Sequence, residues 1–312
     1  SVSTSTIDSL AKEGILFNNA FATSPGCSPS RAAIATGRYP HNTGVLGLAH
    51  AHFGWQLDKN IPHIAKYLSK NGYKTMLFGL QHVTYQVKSL GFNSIFPERP
   101  ADEVLKNIRK KINEKLSNKP FYAEINFFEP HRPFNFGGVK SFKSKGVFIP
   151  KYIPTNTHSK IEFAAMQGAI KKMDESILQI IKILKKKNLY ENTVIIFTSD
   201  HGIPFPRAKG TLYDSGIETS LILHYPKLKL KNKKINELIS NIDILPTLLD
   251  LAKTKKSKKI QGKSFYNLLY NKKYIENKYI FAEKTYHEGF DPIRCVRNQD
   301  YKLIINFDSD KT

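Results

Sequence analysis

Residues 195–202 read Ile195-Ile196-Phe197-Thr198-Ser199-Asp200-His201-Gly202, a β-branched and aromatic run that is apolar on both faces and then turns abruptly polar. A strand of that kind belongs in a sheet covered on both sides. Two more runs end the same way: Met76-Leu77-Phe78 passes into Gly79-Leu80-Gln81-His82, and Ile125-Asn126-Phe127-Phe128 into Glu129-Pro130-His131. Strand-like stretches over 73–78, 121–128, 193–198 and 219–225 alternate with helical spacing at 4–13, 60–70, 101–117, 160–187 and 243–252. Such alternation predicts the α/β layered class. Ligands of an open α/β sheet sit beyond the carboxyl ends of its strands, so the three polar tips predict one shared crevice. A lone histidine in a loop reads as a surface group. Three at equivalent strand ends predict a metal, acid/base or anion site.

Beyond about residue 255 the pattern changes to short strands with turns, over 279–282, 293–297 and 301–307. The expected organisation is a catalytic α/β domain over 1–254 and the start of a smaller β-sheet subdomain over 255–312. The first residues lead straight into a helix and the last form a strand that stops in mid-domain, so both ends are expected to be cut.

Composition narrows the function classes. With 312 residues, 40% hydrophobic and 24% charged, the chain is excluded from the disordered and collagen-like classes. No apolar run approaches the roughly 20 residues that span a bilayer, and Ser1 to Thr6 lacks the charged start and apolar stretch of a signal peptide. Two cysteines, Cys27 and Cys295, are too few for a disulfide framework. The net charge of +22 points first to a polyanion. Yet eight of the 48 basic residues are Arg, and Lys residues cluster at 182–188, 227–234 and 253–259. That distribution favours solvated lysine faces over nucleic-acid recognition, which leans on arginine.

A second signal is Cys27-Ser28-Pro29-Ser30-Arg31, followed by Ala32-Ala33-Ile34-Ala35-Thr36-Gly37. Ser28 as cap, Pro29 at the first helical position and Gly37 at the exit predict a short helix with Cys27 at its mouth. Unpaired N–H groups and partial positive charge there, with Arg31 beside them, favour a thiolate or a bound oxyanion. The competing reading is a buried, inert Cys beside a structural Arg.

These residues carry a family resemblance. Cys27-Ser28-Pro29-Ser30-Arg31 with Thr36-Gly37-Arg38 resembles the signature of the type I sulfatases, in which the Cys is oxidised to formylglycine, and the strand-end motifs follow in the family's order over essentially the whole chain. The closest resemblance is to the heparan N-sulfatase (N-sulfoglucosamine sulfohydrolase) branch. It is carried by Phe128-Glu129-Pro130-His131-Arg132-Pro133, by residues 149–157 and 197–206, and by Tyr286-His287-Glu288-Gly289-Phe290-Asp291-Pro292-Ile293-Arg294.

The resemblance implies an alkaline-phosphatase-like mixed sheet flanked by helices on both faces, with a smaller, incomplete C-terminal sheet. It implies a hydrolase releasing sulfate from a sulfated saccharide of the N-sulfoglucosamine type, as in glycosaminoglycan degradation, matured by a formylglycine-generating enzyme and working in the periplasm or outside the cell. A formylglycine hydrate at position 27 would attack sulfur, and its second hydroxyl would then expel sulfate and restore the aldehyde. Cys27, Arg31, His82, His131 and Lys209 are the implied catalytic set. Arg31 holds the formylglycine, and the other three surround the sulfate and serve proton transfer to the leaving group. Asp200, His201 and residue 27 are the implied ligands of one Ca2+. Because calcium prefers oxygen, Asp200 is the firmer ligand and His201 is open to lining the sulfate site instead. His287, Glu288 and Arg294 are implied substrate contacts; ordinary loop charge is the even alternative. Family members begin with a strand bearing a metal-binding Asp pair, and the sequence starts after it, so the fragment alone is expected to fall short of activity.

One departure stands out. The family's Gly-Lys-x-His string is Gly79-Leu80-Gln81-His82 here. Leu80 cannot donate to sulfate, and Gln81 or another basic side chain is expected to compensate. The rival functions are a phosphonate monoester or phosphodiester hydrolase of the same superfamily, and a non-catalytic polyanion-binding relative.

Overall fold

The computed structural model describes residues 2–50, 54–113, 119–143 and 146–308. In chain order the helices and strands are α1 (Ser5–Glu13), β1 (Ile15–Phe17), β2 (Ala20–Phe21), α2 (Cys27–Thr36), α3 (Ile64–Lys70), β3 (Lys74–Gly79), β4 (Ser94–Phe96), α4 (Ala101–Asn113) and β5 (Phe121–Asn126). There follow α5 (Thr157–Lys186), β6 (Ile195–Thr198), α6 (Asp214–Ile217), β7 (Leu221–His224), β8 (Lys233–Ile235), β9 (Ile239–Ser240), α7 (Ile244–Leu251), α8 (Tyr266–Leu269), β10 (Ile280–Tyr286), β11 (Phe290–Arg297) and β12 (Lys302–Asn306). The expected helix over 101–117 is formed to Asn113, and 114–117 lie outside the described residues.

Alternation along the strands builds the layers. Met76 and Phe78 of β3 and Ile222 of β7 face one way, onto Leu10 of α1, Val104 and Ile108 of α4 and Ile181 and Leu184 of α5. Leu77 faces the other way, onto Ala32 of α2 and Ala65 of α3. Leu221 and Leu223 do likewise, meeting Ile15, Phe17, Ile235, Ile244 and the α8 leucines. Helices therefore cover both faces, as the apolar runs predicted. The strands form an all-parallel β4-β3-β5 sheet and a mixed β6-β7-β1-β8 sheet, with β2 and β9 as a separate parallel pair.

Polar anchors fix the helices. Buried Asp174 of α5 accepts from the backbone N–H of Thr6 (3.1 Å) and Ile7 (2.8 Å), satisfying donors in the first turn of α1. Asn156 and Ser159 form a capping box at the start of α5. Glu129, one residue beyond the apolar run of β5, accepts from the Ala101 N–H (3.1 Å) at the start of α4, so this motif residue is a structural cap.

At the carboxyl-terminal end, β10, β11 and β12 form an antiparallel sheet with Ala282 opposite Cys295 and Cys295 opposite Ile304. Ile280, Ala282 and Cys295 share a core with Phe21, Leu212, Ile217 and Leu238, which seats the small sheet against the main layer. Among the described residues no helix is long and apolar enough to cross a membrane.

Candidate active site

Helix α2 begins at Cys27 itself, with extended Gly26 as its N-cap. This corrects the expected Ser28 cap: the Ser28 hydroxyl instead accepts from the Ala49 N–H (3.0 Å), pinning a neighbouring loop. Gly37 ends the helix at φ +64°, as expected of a left-handed C-cap. One turn in, the Ser30 hydroxyl donates to the Asp200 carbonyl (2.5 Å) and accepts from Asn241 Nδ2 (2.9 Å). The start of α2, the tip of β6 and the loop after β9 are thereby locked together.

Around Cys27 the three strand tips converge. Cys27 Sγ lies 3.1 Å from His201 Nε2, and His131 and His82 also act on the sulfur, lowering its pKa. The Arg31 Nε–H donates to Asp200 Oδ2 at 2.8 Å. Lys209 Nζ lies 3.3 Å from His131 Nε2, and the Gly210 N–H donates to the Pro25 carbonyl (3.0 Å), holding the lysine loop against the approach to Cys27. His201 Nδ1 donates to the Gly202 carbonyl (2.8 Å), which leaves Nε2 facing the sulfur.

The electrostatics follow from this packing. Burial alone would raise the Cys27 thiol, but hydrogen bonds from His131, His201 and His82, with the charge of His201, hold it well below its ordinary value. Burial opposes the charged form of His201 too, yet Asp200 and Cys27 raise its pKa. Asp200 is held low, against burial, by His201 and Arg31. Both shifts favour a thiolate beside an imidazolium, next to the Arg31–Asp200 pair.

Further out, His287 places its ring Cδ2 against Gly26 and is depressed by burial and then by Lys209, which puts it at the rim of the same cluster. Its Nε2 is buried without a hydrogen-bond partner among the described residues. Glu288 beside it is exposed. Arg294 is not brought into the cluster: its guanidinium donates to the Lys284 carbonyl and Thr285 Oγ1 and pairs with Glu283 at 3.4 Å. Gln81 is not a compensating donor either. Its carbonyl accepts from the Val83 and Thr84 N–H groups and its amide donates to the Thr84 carbonyl, closing the loop on itself. The cations near Cys27 are Arg31 and Lys209, and Arg31 also donates to the Leu80 carbonyl (3.4 Å).

Sequence reasoning missed His50, which stacks on His82 with ring centroids 4.4 Å apart. It also missed the Ser30–Asn241 link, and no periodicity marks either.

Cys27, Asp200 and His201 each bring one ligand atom within 4.8 Å of the others. Calcium takes roughly six to eight oxygens. Asp200 is the one carboxylate of this trio, so these donors do not by themselves fit a calcium ion.

Helices on both faces of the sheets, with Arg31, Asp200 and three histidines gathered at the strand ends, define an alkaline-phosphatase-like hydrolase fold. Residues 1–254 match the family described as Sulfatase, and residues 205–312 match the one described as N-sulphoglucosamine sulphohydrolase, C-terminal. The chain belongs to the sulfatase family, near the N-sulphoglucosamine sulphohydrolase branch. It is 29% identical to an ulvan-active sulfatase of Formosa agariphila, over 99% of this chain and 62% of that protein. It is 26% identical to human N-sulphoglucosamine sulphohydrolase, over 98% of this chain and 69% of that protein. The chain thus spans less than two thirds of the length of the first of these relatives. A solved structure from Bacteroides thetaiotaomicron, described with the metabolism of multiple glycosaminoglycans, superposes with a TM-score of 0.86 at 19% identity, covering 99% of this chain and 80% of that one. A phosphonate monoester hydrolase from Silicibacter pomeroyi gives 0.73 at 18% identity, covering 99% and 85%. At such identities the likeness is one of fold.

Proposed function

We propose that this chain forms the catalytic part of a sulfatase that removes sulfate from a sulfated saccharide, with an N-sulfated glucosamine unit as substrate. The observation that carries the reading is the convergence of Arg31, Lys209, His82, His131 and His201 on residue 27 at the first turn of α2. That is a cradle for a tetrahedral oxyanion. Residue 27, converted to formylglycine, supplies a hydroxyl nucleophile from its hydrate. Arg31, fixed by Asp200, orients residue 27. Lys209 holds the sulfuryl oxygens and hands His131 a proton-donating position toward the leaving amine or alcohol. His82, stacked on His50, closes the opposite side. Asp200 is the oxygen ligand this chain offers a divalent cation, and His201 lines the sulfate.

For the saccharide, the exposed carboxylate of Glu288 is the contact, with the His287 ring packed beside it against Gly26. Arg294 acts as a positioning residue, bracing the strands that lead into their turn through Lys284 and Thr285.

The test is sulfate release by the full-length protein, co-expressed with a formylglycine-generating enzyme and checked for conversion by peptide mass spectrometry. N-sulfated glucosamine units should lose sulfate, and Cys27→Ala should lower the rate at least about 10³-fold. Faster phosphonate than sulfate cleavage by converted protein would move the assignment to the phosphonate hydrolases. Salt-sensitive heparin binding without turnover, unchanged in Cys27→Ala, would make it a non-catalytic binder.

A further inference from the structure

We infer that the end of the sheet far from Cys27 carries a second saccharide site, a cleft that holds one stretch of a sulfated polysaccharide while the active site works on another. The inference rests on the sulfated-saccharide reading above. Strand β6 separates the two places: Ile195 at its start pairs with His224, and beyond Thr198 at its end His201 reaches residue 27. At the His224 end lies a cavity of about 680 Å3, whose lining includes Lys185, Lys229, Lys231, Glu13 and Glu191. That volume suits one or a few units of a chain. Two of the lysine-rich stretches, 182–188 and 227–234, meet there, and the third, 253–259, does not line it.

The lining is held in place from within the fold. Buried His224 bonds the Tyr190 hydroxyl through Nε2 at 2.8 Å, and the two rings stack with centroids 5.4 Å apart. Lys185 Nζ lies 4.6 Å from the centroid of the same tyrosine, a cation–π contact that sets its charge beside this floor. The loop between β7 and β8 is tied down on both flanks. The Asn232 N–H donates to the Lys12 carbonyl at 2.8 Å, and Lys227 Nζ donates to Asn192 Oδ1 at 2.5 Å. Between these ties Lys229 adopts left-handed backbone at φ +51°, uncommon for a residue with a Cβ. Among the described residues no ion pair neutralises Lys185, Lys229 or Lys231. Three unpaired ammonium groups around one cavity favour an anion. The carboxylates of Glu13 and Glu191 select the saccharide among polyanions: they accept from hydroxyls, which a sulfated sugar carries beside its sulfates and a DNA backbone lacks. Among the described residues no arginine lines the cleft, and Tyr190 is buried, which leaves neither a guanidinium fork nor an open ring for bases. A chain that spans both places is held twice, so its local concentration at residue 27 rises without any new catalytic contact.

Full-length protein made without a formylglycine-generating enzyme is acetylated at lysine with and without heparin, and each lysine is read by peptide mass spectrometry. Heparin should protect Lys185, Lys229 and Lys231 and leave Lys255, Lys258 and Lys259 of the third lysine-rich stretch reactive. In converted full-length enzyme, Lys185→Ser/Lys229→Asn/Lys231→Ser should raise KM for heparin at least about tenfold and flatten the log–log salt dependence of heparin binding by about two to three. Asparagine keeps the left-handed turn at 229. The same variant should leave kcat, and sulfate release from a single N-sulfated glucosamine unit, unchanged. Removing three charges elsewhere, as Lys255→Ser/Lys258→Ser/Lys259→Ser, should move KM for heparin by less than about twofold. Equal losses in the two triple variants, protection spread evenly over the surface lysines, or duplex DNA protecting the same three lysines as well as heparin does overturns the proposal. The acetylation pattern needs no variant to fold and no turnover. Its failure therefore leaves the sulfatase reading standing, and failed sulfate release leaves the pattern to be read on its own.

Discussion

Cys27 and Cys295 are both buried, at 5% and 6% exposure, yet the pocket and the small sheet push them in opposite directions. Burial raises Cys295, and no histidine offsets it. At Cys27 three histidines outweigh burial, so its thiolate persists toward neutral pH. In unconverted protein, alkylation of Cys27 by iodoacetamide should therefore fall less steeply than that of Cys295 as the pH drops from about 9 to about 7. His201→Gln should shift the Cys27 profile upward and leave the Cys295 profile alone, read residue by residue by mass spectrometry. A Cys27 profile that coincides with that of Cys295 would refute the assigned charge state. The residue types of this pocket were legible because strand tips and a helix mouth mark their own positions along the chain. The neighbours that tune them were not: Asn241 and His50 come from loops whose spacing carries no period. Arg294 shows the reverse case, since a sequence string cannot tell a ligand from a brace.

Longer elements announce themselves and short ones do not. Helix α5 runs for 30 residues and was read to within three residues at either end, because its apolar spacing repeats many times. Strands β1, β2, β4, β8 and β9 are two or three residues long and leave no pattern to read. Strands β5 and β6 were read as covered on both faces, yet every residue in them is only partly buried. The reason is topological. Each ends its sheet, paired on one side among the described residues, while both pack on the core cluster shared with α4 and α5. The end of β3 is tighter. Gly79 has φ +84°, and a Cβ there would lie 1.9 Å from the Asn126 carbonyl oxygen in β5. Gly79→Ala should cost at least about 1 kcal/mol in denaturant unfolding, because left-handed backbone and backbone collision act together. It should also displace His82, three residues on, and so lower activity in the fraction that remains folded. A variant as stable and active as the wild type would show that β3 and β5 separate readily at this end.

At the scale of the molecule, the late segment is tied back to the main body through buried carboxyl chemistry as well as apolar contact. Asp243, 2% exposed, accepts from the N–H groups of Ser240 (2.9 Å) and Lys263 (2.6 Å) and from Asn277 Nδ2 (3.0 Å). One side chain thus joins the start of α7 to two points beyond residue 255, where the composition had suggested a new unit. Burial raises its pKa from 3.8 to about 6, against the pull of those donors. The folded state therefore holds its proton more tightly than the unfolded chain does. The contribution of Asp243 to stability is complete below about pH 4 and is lost as the pH rises through about 6. A rise of about 2 units corresponds to about 3 kcal/mol of stability between those limits. Asp243→Asn does not titrate, and its amide would turn a donor toward the donors it now accepts from, costing about 1–3 kcal/mol. Wild type and variant should consequently differ more at pH 4 than at pH 7 in urea unfolding, with the gap closing through the window in between. A gap that widens with pH would mean that the three donors, and not burial, set the charge of this carboxyl group.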